Sequence, residues 1–409
     1  MMRVLPARAP ALAVAFVYCF CLFAGYFVLR PLRDTMGIQG GIASLKWLFT
    51  ADFAITLLVV VPLFGFLVAR FSRRRLVPGL HAFLVAVVAL FAVAFAALGA
   101  TPALARTFFV WMGVFNLFVV SVFWAFMADV FGPDGARRLY GRIAAGGTLG
   151  AMAGPAMAAV VPSPPVLLAV SAALLAVAGG CAAWLARGPL HGGTAAEAGL
   201  GGGLWEGVGR LARSPYLALV AVWLVLFTAT ATFAYLEQAT LVQAFVPDQA
   251  ARTRLFAWLD LGANGLALGL QLGAAGPLLT RLGPRAALVG QPVITAAGFL
   301  ALVLAPALAP LVVFQVVRRG AGYGLLRPAR EALFAVVPGV DRYKAKAVVD
   351  TAVYRAGDAA SAWGWAGLAA VGLGPAALAA VALPVVCLWG GAGWYLGRRY
   401  RTMQAAEDS

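Results

Sequence analysis

Twelve ionisable residues interrupt stretches of this sequence that are otherwise apolar: Asp52, Asp129, Glu237, Asp260, Arg318, Arg319, Arg327, Arg330, Glu331, Asp350, Arg355 and Asp358. Three more, Arg30, Arg33 and Asp34, stand at the end of the first such stretch. A charge in hydrocarbon is costly unless it faces a partner or a polar cavity, so each is a candidate for handling a solute, an ion or another charge. The stretch Val312 to Val337 is the richest. At about 100° per residue, Arg319, Tyr323, Arg327 and Arg330 fall within an arc of about 80° of a helix. Guanidinium forks on one face match planar oxyanions such as phosphate or carboxylate. Gly320, Gly322, Gly324 and Pro328 lie among them and predict a bent or locally unwound helix. The same arginines have a second use open to them, which is to pair with Glu331, Asp350 and Asp358 and hold helices together.

Other chemistries find no support. No nucleophile and base stand at a catalytic spacing, and no Gly-x-x-x-x-Gly-Lys phosphate loop occurs, so neither an enzyme nor an ATP-driven pump is expected and no catalytic residue is named. Cys19, Cys21, Cys181 and Cys387 all lie in apolar stretches, with no metal-ligand spacing to either histidine. They read as buried small hydrophobes. Neither a metal nor a cofactor is expected.

The elements that carry these charges follow from composition. The chain has 409 residues, of which 63% are hydrophobic and 11% charged, and a mean hydropathy of +0.91. That balance is foreign to soluble globular proteins and makes lipid the solvent. Apolar runs long enough to cross about 30 Å of hydrocarbon as helices recur from end to end. They predict an all-α integral membrane protein of about twelve spans, near 9–29, 47–69, 77–98, 107–131, 141–161, 165–186, 215–237, 253–280, 286–305, 309–336, 346–371 and 375–397. The first run follows Arg3 and Arg8 as a secretory signal would, but it continues to Arg30 and eleven more follow, so it is expected to remain in the mature protein.

A formal charge of +16 raises the question of nucleic acid, and the position of each base answers it. With the N-terminus in the cytoplasm, 20 of the 31 Lys and Arg fall on that side, including Arg73, Arg74, Arg75, Arg137, Arg138, Arg342, Lys344 and Lys346; six, among them Arg30, Arg33, Arg252 and Arg254, fall on the other. This is the positive-inside bias, and it places both termini in the cytoplasm without any nucleic-acid partner. Arginine outnumbers lysine 28 to 3 and Ala, Gly and Leu dominate, as in GC-rich bacterial coding, which points to a bacterial inner membrane.

The spans divide six and six. Gly188, Pro189, Gly192, Gly193 and the run Gly199 to Gly203 predict a cytoplasmic linker over 188–213, between an N-terminal bundle at 1–187 and a C-terminal bundle at 214–409. The halves echo each other. Gly65 to Arg75 after the second span matches Gly276 to Arg285 after the eighth, the two glycines being 211 residues apart. Gly132 to Tyr140 matches Gly339 to Lys346, with Asp134 and Asp341 displaced by 207. Such repetition is the mark of pseudo-symmetric secondary transporters.

The first of these pairs resembles the loop signature of the major facilitator superfamily, Gly-x-x-x-Asp-Arg-x-Gly-Arg-Arg, with Ala69 in place of Asp and Ser72 in place of Gly. That resemblance implies two six-helix bundles whose first, fourth, seventh and tenth helices line a central path. The charges fit: most lie on spans one, four, seven, ten and eleven, and none on three, six, nine and twelve. A finer resemblance rests on Arg318 to Phe334, with its Pro328-Ala-Arg330-Glu331, followed by Lys344-Ala-Lys346-Ala-Val-Val-Asp350. It extends to Phe123-Trp124 with Asp129 and Ala136-Arg137-Arg138-Leu-Tyr140, to Leu29-Arg30 with Arg33-Asp34, and to Leu236-Glu237. These are similar to the ATP/ADP translocases of plastids and obligate intracellular bacteria. Arg327 stands where that family has Asp, Thr240 and Leu241 stand in a region where it has lysines, and Asp358 lies where a lysine is expected after Gly.

What the resemblance implies is a secondary-active transporter that exchanges a nucleotide or a related phosphorylated or organic anion by alternating access. Arg33 and Arg330 become anion contacts, joined by Arg30, Arg319, Tyr323 and Arg327. Asp129 and Glu237 become coupling acids or charge partners, and Asp350 and Asp358 pairing groups on span eleven; Asp260, Glu331 and Arg355 complete the coupling or gating set. The expected partners are a small anionic solute and the bilayer, with no obligate protein partner. A proton-coupled facilitator of an organic anion, sugar or drug, working through Asp129, Glu237 or Asp260, is the alternative. A membrane-embedded assembly protein that keeps the fold without transport is a third.

Overall fold

A computed structural model describes residues 9–188, 204–337 and 345–407. The expected linker falls outside the described residues from 189 to 203, and its remainder, Leu204–Arg213, is helical. Arg3, Arg8, Asp341, Arg342 and Lys344 also lie outside them. The described residues form helices and short connections, with no strand among them.

Ten of its helices are long and apolar enough to cross a membrane. The other two expected spans are helical but interrupted and charged: Leu308–Ala321 with Arg327–Leu333, and Val349–Val353 with Tyr354–Ala370. A bilayer gives helices no hydrophobic reason to associate, so close packing must come from small residues and polar contacts. On the fifth span Gly146 and Gly154 supply it. A Cβ on Gly146 would sit 2.5 Å from the Phe16 carbonyl oxygen, and one on Gly154 2.6 Å from the Val28 nitrogen. Gly150, one turn from each, meets the carbonyl of Phe20. Backbone therefore packs on backbone between the first and fifth spans.

Several helices are broken where the sequence dictates. The first span runs as Ala9–Phe27, a turn at residues 28 and 29, and then Arg30–Gln39. This corrects the expected end at residue 29. Pro31 lacks the N–H that a continuing helix needs but suits the first turn of a new one. Arg30, Arg33 and Asp34 thus lie within a span, not beyond its end, and Arg30 and Arg33 leave the outer-loop count of bases. Three π-turns share the same cause. Thr56–Val60 precedes Val61-Pro62, Gln271–Ala275 precedes Gly276-Pro277, and Gly322–Leu326 precedes Arg327-Pro328. The loop expected after the fourth span is instead a helical run, Pro102–Val160, broken at Gly132, whose φ of 65° is the left-handed conformation that glycine tolerates.

The described residues form two compact units, and neither follows the sequence halves strictly. One takes residues 9–40, 58–188 and 248–261; the other takes 41–57, 204–247, 262–337 and 345–407. The core of the first gathers Tyr18, Phe108, Phe115, Phe123 and Phe126. That of the second gathers Trp223, Leu288, Leu333 and Trp389. Cys19 and Cys21 are buried, as expected, but Cys181 is only partly so and Cys387 is exposed on a span that carries other outward apolar side chains, such as Leu388.

Candidate functional site

In the first unit, charge gathers where the first span breaks. Arg30 and Arg33 occupy the first turn of the helix Arg30–Gln39, an end whose unpaired N–H groups and dipole disfavour cations. Nearby acids offset this. Arg30 Nε lies 3.7 Å from Asp260 Oδ2, and Arg33 Nη1 3.2 Å from Asp34 Oδ1. Both carboxylates are deeply buried, while each guanidinium keeps nearly a fifth of its surface open. Arg33 also stacks over Phe109, 4.2 Å from the ring centroid. One turn on, the Thr35 hydroxyl meets that of Thr253 at 2.9 Å, and both residues are fully enclosed. Asp129, the remaining candidate here, is buried at 5% exposure near the C-terminal end of the fourth span.

The second unit holds a seam of acids between the seventh and eleventh spans. Thr232 donates to Asp358 Oδ1 at 3.0 Å, and Trp365 Nε1 donates to Glu237 Oε1 at 3.4 Å. Glu237 is 1% exposed, and its Oε2 is buried with no hydrogen-bond partner among the described residues. Arg355 on the same seam is paired with Asp52. Around that pair, Trp363 Nε1 donates to the Thr50 hydroxyl at 3.0 Å, and the Trp363 ring stacks edge-on with Trp47.

The arginine stripe on the tenth span is not one surface. The π-turn Gly322–Leu326 adds a residue to one turn and rotates everything beyond it by about 100° relative to a straight helix. Arg319 is buried and Tyr323 half-buried, whereas Arg327 is exposed. Arg330 joins a separate cluster near the C-terminal end of the span, 3.4 Å from Asp350 and 3.7 Å from Glu331, which in turn binds Lys346. Between the two groups, Gln291 Nε2 donates to the Arg318 carbonyl at 2.8 Å and Gln271 Nε2 to that of Tyr323 at 3.2 Å. Amide side chains thus bind backbone just before the break and within it.

The structure therefore brings together Arg30 with Asp260, Arg330 with Glu331 and Asp350, and, on one seam, Glu237, Arg355 and Asp358. It does not gather the six expected anion contacts in one unit. Sequence reasoning named Asp52 only as one charge in an apolar run, and gave no role to Thr35, Thr253, Thr232 or Trp365. Asp52 carried a signal, as a carboxylate in an apolar run; the hydroxyls and the indole carried none, because only tertiary contact distinguishes them from ordinary lining.

This all-helical fold is shared with solved structures of membrane transporters. Among solved structures of that kind, the chain is similar to the nucleoside transporter NupG, with a TM-score of 0.66 at 14% identity, covering 96% of this chain and 99% of that one. It is similar to a bacterial homologue of the human lysosomal transporter Spinster, with a TM-score of 0.64 at 16% identity over 98% of both chains. It also resembles the human organic anion transporter MFSD10 (TETRAN), with a TM-score of 0.62 at 14% identity, covering 95% of this chain and 100% of that one. No protein-family model matches the sequence, and no curated protein matches it.

Proposed function

We propose that this chain is a secondary-active transporter that moves a small anionic solute across a bacterial inner membrane by alternating access, with a nucleotide or another phosphorylated metabolite as the favoured cargo. One observation carries the reading. The first span is interrupted, and the helix that restarts there presents Arg30 and Arg33 in its first turn. Interrupted helices with half-helix N-termini are how secondary transporters hold anionic groups within a membrane. Two cations at such an end oppose the dipole, and an arriving oxyanion relieves that opposition. Exchange in proteoliposomes tests the reading, with a panel of nucleotides, sugar phosphates and carboxylates. Exchange of any anion that is lost in Arg33→Ala supports it; a panel in which nothing exchanges and nothing protects the protein against heating rejects it.

A second reading concerns the driving force, and Glu237 favours it. A carboxyl group enclosed by apolar helices, with only an indole N–H for a partner among the described residues, is carried most cheaply as the neutral acid. Such a group can take a proton in one access state and release it in the other. On this reading the cargo moves with protons instead of in exchange for a second anion. Uptake that collapses with a proton ionophore supports it, and exchange indifferent to the ionophore rejects it.

A further inference from the structure

The fifth and sixth spans are joined by Val161, Pro162 and Ser163, and the sixth helix opens on Pro164-Pro165. Proline fixes φ and stiffens such a turn, so the two helix ends are held at a set separation. Between them is a cavity of about 430 Å³ lined only by apolar side chains, among them Ala156, Met157, Val160, Val166 and Val170. Its size lies within the range of about 300–1,000 Å³ usual for small-ligand sites, yet no hydrogen-bonding side chain lines it. Val160, Val161 and Val166 at its edge are exposed. In a chain whose solvent is lipid, an open apolar cavity with such an edge faces hydrocarbon.

Arg254, in the same compact unit, stands at the end of the fifth span. Its Nε donates to the Ala159 carbonyl at 3.2 Å, one of the last carbonyls of a helix that find no partner within it. A cation suits this end, where the helix dipole is negative. Ala159 directly precedes Val160 of the cavity wall. The bond uses only Nε, and Arg254 makes no other hydrogen bond or ion pair among the described residues. The residue is exposed, so both Nη groups are left to meet something from outside the chain. A guanidinium fork beside an open apolar cavity, at the level where a span ends, matches a phospholipid, with phosphate at the fork and hydrocarbon in the cavity.

We propose that this is a binding site for one resident anionic phospholipid, with its phosphate on the Arg254 Nη groups and an acyl chain laid between the fifth and sixth spans. The charge of the headgroup follows from Arg254. Phosphate takes the guanidinium fork in two parallel hydrogen bonds, whereas a zwitterionic headgroup brings a cation that the fork repels. Basic pockets at spanning helices hold anionic headgroups for this reason. The acyl chain follows from the cavity, which gives a free anion nothing to bind. A lipid so held ties the start of the eighth span, which carries Arg254, to the end of the fifth. It is part of the wall and not cargo, so the proposal does not depend on the transport reading.

Thermal unfolding of the purified full-length protein in a neutral detergent tests the site, with phosphatidylglycerol and phosphatidylcholine of the same chains as titrants. A ligand of the folded state raises the melting temperature by mass action. The parent should respond to phosphatidylglycerol at about tenfold lower concentration than to phosphatidylcholine, a difference the size of one charge-assisted hydrogen bond. Arg254→Gln should erase that preference, and Ala156→Phe, which fills the cavity, should weaken the response to both lipids. Equal responses in the parent, or a preference that survives Arg254→Gln, overturn the proposal. So does an equal response to glycerophosphoglycerol, the same headgroup without chains, which would leave a plain anion site. Should the variants fail to fold, the parent decides by itself. Phosphatidylglycerol with a photoreactive acyl chain should crosslink within residues 156–170, read by peptide mass spectrometry, and the absence of crosslinks there overturns the proposal. No readout depends on transport, so failure of the lipid site and failure of the anion reading remain distinct.

Discussion

The indole of Trp365 donates to Glu237 at 3.4 Å, and this is the only hydrogen bond the Glu237 carboxyl receives among the described residues. Glu237→Gln keeps the shape and the indole contact but removes the exchangeable proton. If Glu237 carries the coupling proton, the variant should still exchange cargo across proteoliposomes while losing accumulation driven by a pH gradient. Retained gradient-driven accumulation would remove Glu237 from the coupling path. Trp365→Phe should be milder, since the loss of one neutral hydrogen bond costs about 1 kcal/mol.

Arg33 tests the anion reading more finely than removal of its charge does. A lysine at this position keeps the charge but loses the guanidinium contact over Phe109 and the forked geometry. Arg33→Lys should therefore raise the KM for the exchanged anion roughly tenfold with little change in maximal rate. An unchanged KM in a folded protein would mean that Arg33 serves the helix and not the cargo.

The two classes of ion pair should differ in what they contribute to stability. Removing Arg30 takes a charge partner from the enclosed Asp260 and should cost about 3–5 kcal/mol. Lys346 faces Glu331, whose side chain is 45% exposed, and Lys346→Ala should cost less than about 1 kcal/mol. Thermal unfolding of the two variants in one detergent compares them, and equal losses would contradict the difference in burial.

Gly150→Ala should destabilise by about 1–3 kcal/mol, because the added methyl group enters the space held by the Phe20 carbonyl and the helices must part. Gly141→Ala, where a Cβ meets nothing, is the control and should leave the melting temperature near that of the parent. A parent-like melt for both would deny the close approach of the first and fifth spans.

The helices were legible because lipid imposes a length and an apolarity that a run of side chains either meets or does not. The interruptions were legible too where proline caused them. Arg30-Pro31 and Arg327-Pro328 both mark a break, the second reinforced by the glycines around Tyr323. What the sequence left open was pairing. Charges on the tenth span were visible as a stripe, yet the π-turn, which depends on how the chain closes around Pro328, separates Arg319 from Arg327. Asp52 illustrates the limit best: its carboxylate was conspicuous in an apolar run, but its partner lies 303 residues away on the eleventh span and could not be found by spacing.

The π-turn at Gly322–Leu326 is an α-helix holding one surplus residue. Deleting a single residue there would let the helix rejoin in uniform register and turn the part beyond it by about 100°. Arg330 would swing away from Asp350, and the hydrogen bond between Gln271 and the Tyr323 carbonyl would lose its acceptor to the restored ladder. This span therefore tolerates substitution differently from deletion: a one-residue loss that shortens it by only about 1.5 Å would rewire its contacts more thoroughly than most side-chain changes.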